Sequence, residues 1–322
     1  MRPEASAIAV EGLVKSYGRT AALRGLTMHA ARGTVVCLMG PNGAGKTTVI
    51  RVLSTLTRPD GGTAMVCGHD VVQAAGRVRA LIGLTGQDAA VDEHLTAMEN
   101  LWLFARLNGL ARRLARSRVA ELVEAFDLGP VAERPVRTYS GGLRRRVDLA
   151  AALVAAPPVL FVDEPTTGLD PRSRRTLWEL IRARARAGST ILLTTQYLEE
   201  GDQLADRIYV VDQGRAVAEG TPDELKARIG GERIEVTLAH PAALPLAAAE
   251  LETLLGGRPE VDAAALTVSV LTDDRPGVLS RAVRGLDEAG VDVTDVRLRR
   301  LTLDDVFFAF TGAEPAANGH RR

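Results

Sequence analysis

Residues Gly40–Thr47 read GPNGAGKT, directly after the apolar run VVCLM. No other stretch of the chain narrows the possible folds so far. The spacing fits G-x-x-x-x-G-K-[ST], in which a buried strand enters a glycine turn and leaves it as a helix. Gly43 and Gly45 let backbone N–H groups turn inward, and the start of the next helix adds partial positive charge. Such a cradle takes phosphate oxygens. Lys46 is placed to reach β and γ phosphates, and the Thr47 hydroxyl suits Mg²⁺. Thr48 extends the polar helix start, and Pro41, Asn42 and Ala44 fill out the turn.

The rest of the chain reads as an α/β body built around this loop. With 322 residues and 46% hydrophobic content it can bury one large core and a second small one. Residues 8–14, 34–39, 64–70 and 80–87 look strand-like, broken by glycines. Residues 95–150 change character. Thr96 followed by Glu99 is a capping box that opens a helix, Val119, Leu122, Val123 and Phe126 fall on one face of a second, and a third starts near Ser140. This predicts a helical subdomain over about 90–155, inserted in a first domain spanning 1–230. Strands and helices then alternate up to TPDELKARIG. Residues 231–312 read as a small α+β unit of β-α-β-β-α-β order, with one weak strand near Val261. Residues 313–322 read as a disordered tail.

Charge and cysteine usage exclude several classes. Lys plus Arg and Asp plus Glu balance at 40 each, so the basic excess of a dedicated duplex-binding protein is missing. Arginines cluster at Arg112, Arg113, Arg116 and Arg118, and again at Arg144, Arg145 and Arg146. The plain reading is a solvated helix face, with partner or lipid contact as the alternative. Cys37 and Cys67 lie in apolar runs without metal-ligand spacing, which suits buried thiols in a reducing compartment. The N-terminal residues show no secretory signal. The longest apolar run, Leu149–Val162, is broken by Pro157 and Pro158, whereas a membrane span needs about 20 residues. A soluble chain that reaches a membrane only through a partner is expected.

Two further motifs sharpen the chemistry. VLFVDEP sets Asp163 and Glu164 at the end of an apolar strand. Asp163 suits a Mg²⁺ ligand and Glu164 suits orienting or activating the attacking water. YSGGL then offers Ser140, Gly141 and Gly142 as a second anion nest at a helix start. One nucleotide rarely needs two nests in one domain. A head-to-tail pair of domains, each offering its nest to nucleotide on the other's loop, is the economical explanation.

In order and wording, GPNGAGKT, the Gln87 region, YSGGL, FVDEP and TTGLD resemble the ATP-binding cassette ATPases over about residues 8–226. The resemblance implies a P-loop NTPase core of that type, hydrolysing ATP with Mg²⁺. It implies that Tyr17 stacks on adenine, that Gln87 links Mg²⁺ and the attacking water to a transmembrane partner, and that Asp170 lies in a loop crossing a dimer interface. Most such ATPases carry histidine where this chain has Gln196. Glutamine hydrogen-bonds but carries no proton at neutral pH, so a histidine relay is not available. TTQYLEE, YSGGLRRRVDLAAAL, VDEPTTGLDPRSR and LTLDDVFFAFTG resemble the daunorubicin/doxorubicin-resistance exporter ATPases of bacteria across nearly the whole chain. That implies two copies of this subunit on the cytoplasmic side of the membrane, two copies of a separate multi-helix permease, hydrophobic drugs as cargo and no nucleic-acid partner.

Other readings compete. A soluble cassette ATPase of translation or DNA repair usually carries two cassettes or a long coiled-coil insertion, and this chain has neither. A subunit using ATP only to dimerise would not need Lys46, Asp163 and Glu164 together. Lipid or another non-drug cargo, and import instead of export, stay open. TDDRPGVLSRAVRGLDEAGVDV looks like small-molecule-sensing modules, although a dimer contact or stabilising cap is the plainer reading.

Overall fold

The computed structural model describes residues 6–86, 90–229, 232–272 and 277–311. The chain divides into two compact units, Met1–Pro222 and Asp223–Arg322. The division falls one residue into the TPDELKARIG helix, between Pro222 and Asp223, whereas the sequence reading had that segment closing the first unit.

In the first unit, β1 (Ser6–Tyr17) and β2 (Thr20–Ala31) form a long hairpin. With β4 (Gly61–Val66) and β5 (His69–Asp70) they make an antiparallel sheet of order β2-β1-β4-β5. The second sheet has the order β10-β9-β3-β8-β7-β6. Its parallel strands are β3 (Val35–Met39), β6 (Ile82–Thr85), β7 (Val159–Asp163), β8 (Thr190–Thr195) and β9 (Arg207–Asp212). β3 and β7 are buried at every position, as unbroken apolar runs in a sheet covered on both faces must be. β10 (Arg215–Gly220) returns antiparallel to β9. Gln213 and Gly214 between them both have positive φ, the backbone a two-residue hairpin demands.

One core joins the two sheets. Leu13, Leu23, Leu26 and Met28 from the first sheet meet Leu38, Phe161 and Leu192 from the second, together with Val49, Ile50 and Leu53 of α1 (Lys46–Leu53). Each such side chain, fully buried, stabilises the fold by about 1.5–3 kcal/mol. Tyr209 ties β9 to β2: its hydroxyl donates to the His29 carbonyl at 3.1 Å and accepts the His29 N–H at 3.0 Å.

Between β6 and β7 the chain forms α3 (Ala97–Leu107), α4 (Arg112–Ala125) and α5 (Gly141–Ala152). The capping box is formed: Glu99 N–H donates to Thr96 Oγ1 at 3.1 Å and Thr96 N–H to Glu99 Oε2 at 2.8 Å. Of the two arginine clusters, Arg112, Arg113 and Arg116 are exposed as a solvated face, whereas Arg118 is half-buried and donates to the Leu153 and Val154 carbonyls at 2.9 and 3.3 Å. Arg144, Arg145 and Arg146 are half-buried and each grips a different segment, so the solvated-face reading does not hold for them. The strand β2 and the short helix α2 (Ala75–Leu81) were not read from the sequence.

The second unit takes up α8 (Pro222–Ile229) from Asp223, its opening proline being the last residue of the first unit. It continues through β11 (Glu232–Leu238), α9 (Leu244–Leu255), β12 (Glu260–Asp262), β13 (Thr267–Thr272), α10 (Val278–Glu288), β14 (Val293–Arg300) and α11 (Leu303–Thr311). Its antiparallel sheet has the order β12-β13-β11-β14. Ile234, Val236, Val268 and Val270 pack on Ala247 and Leu251 of α9 and on Ala282 and Leu286 of α10. Asp305 fixes α11, which the sequence reading had left without an element, by an ion pair with Arg233 Nε at 3.2 Å and by accepting from Arg299 Nη2 at 3.1 Å. The tail expected over 313–322, and Asp273–Pro276 of the sensing-like segment, lie outside the described residues.

Candidate functional site

The glycine turn is built by its neighbours. β3 ends at Met39, and α1 starts at Lys46 with Gly45 as its N-cap. Gly45 has φ +108°, and a Cβ there would lie 2.6 Å from the Ala22 carbonyl oxygen, so the position accepts glycine alone. The first turn of α1 contains no acidic residue and receives no side-chain cap. Its N–H groups and partial positive charge therefore favour an anion. The β9–β10 turn backs the loop, with Gly214 N–H donating to the Ala44 carbonyl at 2.9 Å.

Four predicted residues meet here. Lys46 is 4% exposed. Its Nζ donates to the Gly40 and Pro41 carbonyls at 2.8 and 3.0 Å and stands 3.7 Å from Glu164 Oε1, an ion pair without a direct hydrogen bond. Burial lowers the Lys46 ammonium pKa, and the Glu164 and Asp163 carboxylates oppose that shift. The Thr47 hydroxyl donates to Asp163 Oδ1 at 3.2 Å. Asp163 is itself buried at the end of β7.

Sequence reasoning missed the residue that holds this acidic pair, Thr194 of β8. Parallel register sets Thr194 beside Asp163. Its hydroxyl donates to Asp163 Oδ1, while the Glu164 N–H reaches Thr194 Oγ1 at 3.0 Å and its carbonyl at 3.1 Å. Those bonds hold Glu164 at φ +46°, a left-handed backbone that costs a non-glycine residue on the order of 1 kcal/mol. The only hint in the sequence is the polar Thr-Thr pair ending an apolar strand. Glu200 was missed as well. Fully buried in α7 (Leu198–Leu204), it accepts a 3.0 Å bond from Trp178 Nε1, and burial raises its carboxyl pKa.

Ser140, Gly141, Gly142 and Asp170 have contacts of their own. Ser140 caps α5 by accepting from Leu143 N–H at 3.3 Å. Gly142 has a packing duty in addition to the nest expected of it: a Cβ there would lie 2.7 Å from Ser173 Cβ on α6 (Pro171–Arg186). Gly141 stands beside Leu169. Asp170 caps α6, accepting from the Arg172 and Ser173 N–H groups at 3.0 Å each and from Ser173 Oγ at 2.6 Å. The Ser173 hydroxyl bond lowers its carboxyl pKa. Tyr17 ends β1, exposed, with Lys15 Nζ 5.5 Å from its ring centroid. Gln196 follows β8 and is half-buried. Gln87 lies outside the described residues.

A glycine phosphate loop, an acidic pair at the end of the neighbouring strand and a helical insertion headed by a glycine turn define an ATPase of the ATP-binding cassette class. The family profile described as "ABC transporter" matches residues 23–167. The daunorubicin resistance ATP-binding protein DrrA3 of Streptomyces coeruleorubidus is 56% identical over 307 residues, 95% of this chain and 96% of that protein. The daunorubicin/doxorubicin resistance ATP-binding protein DrrA of Streptomyces peucetius is 48% identical over 307 residues, 95% of this chain and 92% of that protein. Among solved structures, cbiO1 from Clostridium perfringens, part of the ABC transporter complex cbiONQ, superposes with a TM-score of 0.65 at 27% identity, covering 70% of this chain and 92% of that one. The chain belongs to the daunorubicin/doxorubicin-resistance ATP-binding proteins of the ABC transporter family, and it is an ATPase. Among the described residues no helix is long and apolar enough to cross a membrane.

Proposed function

We propose that this chain energises export of hydrophobic drugs by a separate multi-helix permease, working as a pair of copies on the cytoplasmic face of the membrane. The observation that carries this reading is the convergence of Lys46, Thr47, Asp163 and Glu164 on one glycine turn, in a chain whose full-length relatives are named for daunorubicin and doxorubicin resistance.

The site suits the assigned roles. Amides of Gly40–Thr48 cradle the phosphates, and Lys46 exchanges its loop carbonyls for β and γ oxygens. The Thr47 hydroxyl and Asp163 carboxylate, 3.2 Å apart, are hard oxygen donors of the kind Mg²⁺ takes, and Gln87 joins them in this reading. No cluster of three or more His, Cys, Asp or Glu side chains suited to a metal occurs among the described residues. The chemistry that Mg²⁺ would supply there is neutralisation of phosphate charge. Glu164, held in its strained backbone beside Lys46, orients the attacking water, and Gln196 hydrogen-bonds at the γ position. Exposed Tyr17 offers a ring face to adenine. Ser140, Gly141, Gly142 and Asp170 complete the site of the second copy.

The test is efflux of doxorubicin from cells expressing this chain with a candidate permease. Export is expected only when both are present, and it should vanish with Lys46→Ala, which removes phosphate stabilisation and lowers kcat by at least about 100-fold. The same rate of efflux with Lys46→Ala would sink the proposal.

A further inference from the structure

From β8 the chain runs through Gln196 and Tyr197 into α7, a helix of seven residues. So short a helix has little stability of its own, and its place depends on what it packs against. It buries Glu200, Gly201 and Leu204. Packing accounts for the glycine and the leucine but not for a carboxyl. Glu200 has no exposed surface, its Oε1 accepts from Trp178 Nε1 at 3.0 Å, and its Oε2 has no hydrogen-bond partner among the described residues. Burial raises the carboxyl pKa, and the Thr195, Trp178 and Thr166 side chains and the Arg174 charge oppose that shift. A buried carboxyl weakens a fold relative to an apolar side chain of similar volume, unless an acceptor is needed at that place. Here the acceptor goes to an indole.

That indole belongs to α6, and α6 touches the same turn at a second point. Arg174 lies one turn before Trp178 on one face of α6. Its guanidinium carbon is 4.8 Å from the centroid of the Tyr197 ring, and it pairs with Glu199 at 3.9 Å. Glu199 is 65% exposed, so water screens this pair, whereas the bond between Glu200 and Trp178 is buried. Within the turn, Thr195 Oγ1 accepts the Tyr197 N–H at 2.8 Å, and the Tyr197 carbonyl accepts the Glu200 N–H at 3.1 Å. Just before Thr195 stands Thr194, which bonds to Asp163 and Glu164. Gln196 is therefore set between a strand end tied to the acidic pair and a helix start tied to α6.

We propose that Glu200 is a positioning residue for ATP hydrolysis: bonded to the indole of Trp178, it anchors to α6 the turn that carries Gln196. With the turn fixed at both ends, the Gln196 side chain has fewer positions to search before it meets the γ-phosphate. This rests on the reading above in which Gln196 hydrogen-bonds at the γ position.

The experiment uses the full-length chain with Glu200→Met, Glu200→Gln, Trp178→Phe, Gln196→Ala and the double variant Gln196→Ala/Glu200→Met. It reads kcat and KM for steady-state hydrolysis of Mg-ATP, together with the melting temperature. Methionine fills the space of the side chain without an acceptor, so packing is kept and the anchor is lost. Glu200→Met should lower kcat about 10-fold, with KM for ATP changed less than about twofold. Trp178→Phe keeps a ring and removes the donor, and should have the same effect. Glu200→Gln should recover most of the rate, since its amide oxygen still accepts from the indole. The double variant should be no slower than Gln196→Ala alone. A wild-type kcat in Glu200→Met alongside an impaired Gln196→Ala would overturn the positioning role and leave the reading of Gln196 intact. A wild-type rate in Gln196→Ala would overturn both. Parallel loss of kcat, nucleotide affinity and melting temperature in Glu200→Met, without rescue by Gln, would overturn the proposal and reduce Glu200 and Trp178 to a structural contact.

Discussion

Lys46 illustrates how much of this site is prepared in advance. Its amine is buried against two carbonyls of its own loop and faced by two carboxylates, so the cation stays in place despite desolvation. Glu164 is prepared differently, by backbone bonds to Thr194 that hold it in a left-handed conformation. Gln196 follows the same strand as Thr194 and brings no titratable proton. Gln196→Ala is therefore expected to slow turnover while leaving ATP binding largely intact. Gln196→His should retain more activity and gain a pH dependence near the imidazole range of about 6 to 7. Pre-steady-state hydrolysis across pH 5.5 to 9 checks both, and a Gln196→Ala rate equal to wild type would remove the residue from the mechanism. What was legible at this scale is the meeting of Lys46 and Thr47 with Asp163 and Glu164, because GPNGAGKT and VDE are each contiguous.

Elements carry information that contiguous motifs do not. β2 escaped the sequence reading although Leu23, Leu26, Met28 and Ala30 are buried along it. Register shifts against β1 between Val10 and Val14 break the alternation that marks a strand. α3 was legible, because its capping box states its own start. α5 was legible as a helix but not in its duties. Its Asp148 takes up a proton near pH 6 in the folded chain, above its ordinary value of 3.8. The folded state then binds more protons than the unfolded state between those two values, so this group's contribution to stability falls as pH rises through that window. Asp148→Asn, which cannot ionise, should gain stability relative to wild type by on the order of 2 kcal/mol between pH 4 and 7.5. Denaturant titrations at the two pH values measure the difference, and a gap that does not change with pH would show that the carboxyl is not held in this state.

At the scale of the whole molecule, the glycine turn and the phosphate loop belong to separate neighbourhoods of one chain. The hydrogen bonds of Ser140 and Asp170 run to the starts of α5 and α6 and not to Lys46 or Asp163. Under the proposed function, the Ser140–Gly142 turn serves nucleotide held by a second copy. Glu164→Gln keeps the side chain's shape and removes the carboxylate proposed above to orient water, so ATP should accumulate a dimer of this variant. Light scattering at saturating Mg-ATP provides the check. A monomer under those conditions, with and without a permease, would count against shared sites.

By itself the sequence determined what is local: the strand–turn–helix around Lys46, the acids ending β7, the Thr96 cap and the insertion between β6 and β7. Each rests on residues a few positions apart whose backbone and chemical demands can be met in only one way. Tertiary structure alone decided which distant residues serve them. Thr194 meets Asp163 through parallel register, Gly142 meets Ser173 through the packing of α5 on α6, and Arg145 and Asp148 meet Gly86 and Ala90 across the helical insertion. These contacts depend on strand order and helix packing, which no window of neighbouring residues encodes, because they arise only once the whole core has closed.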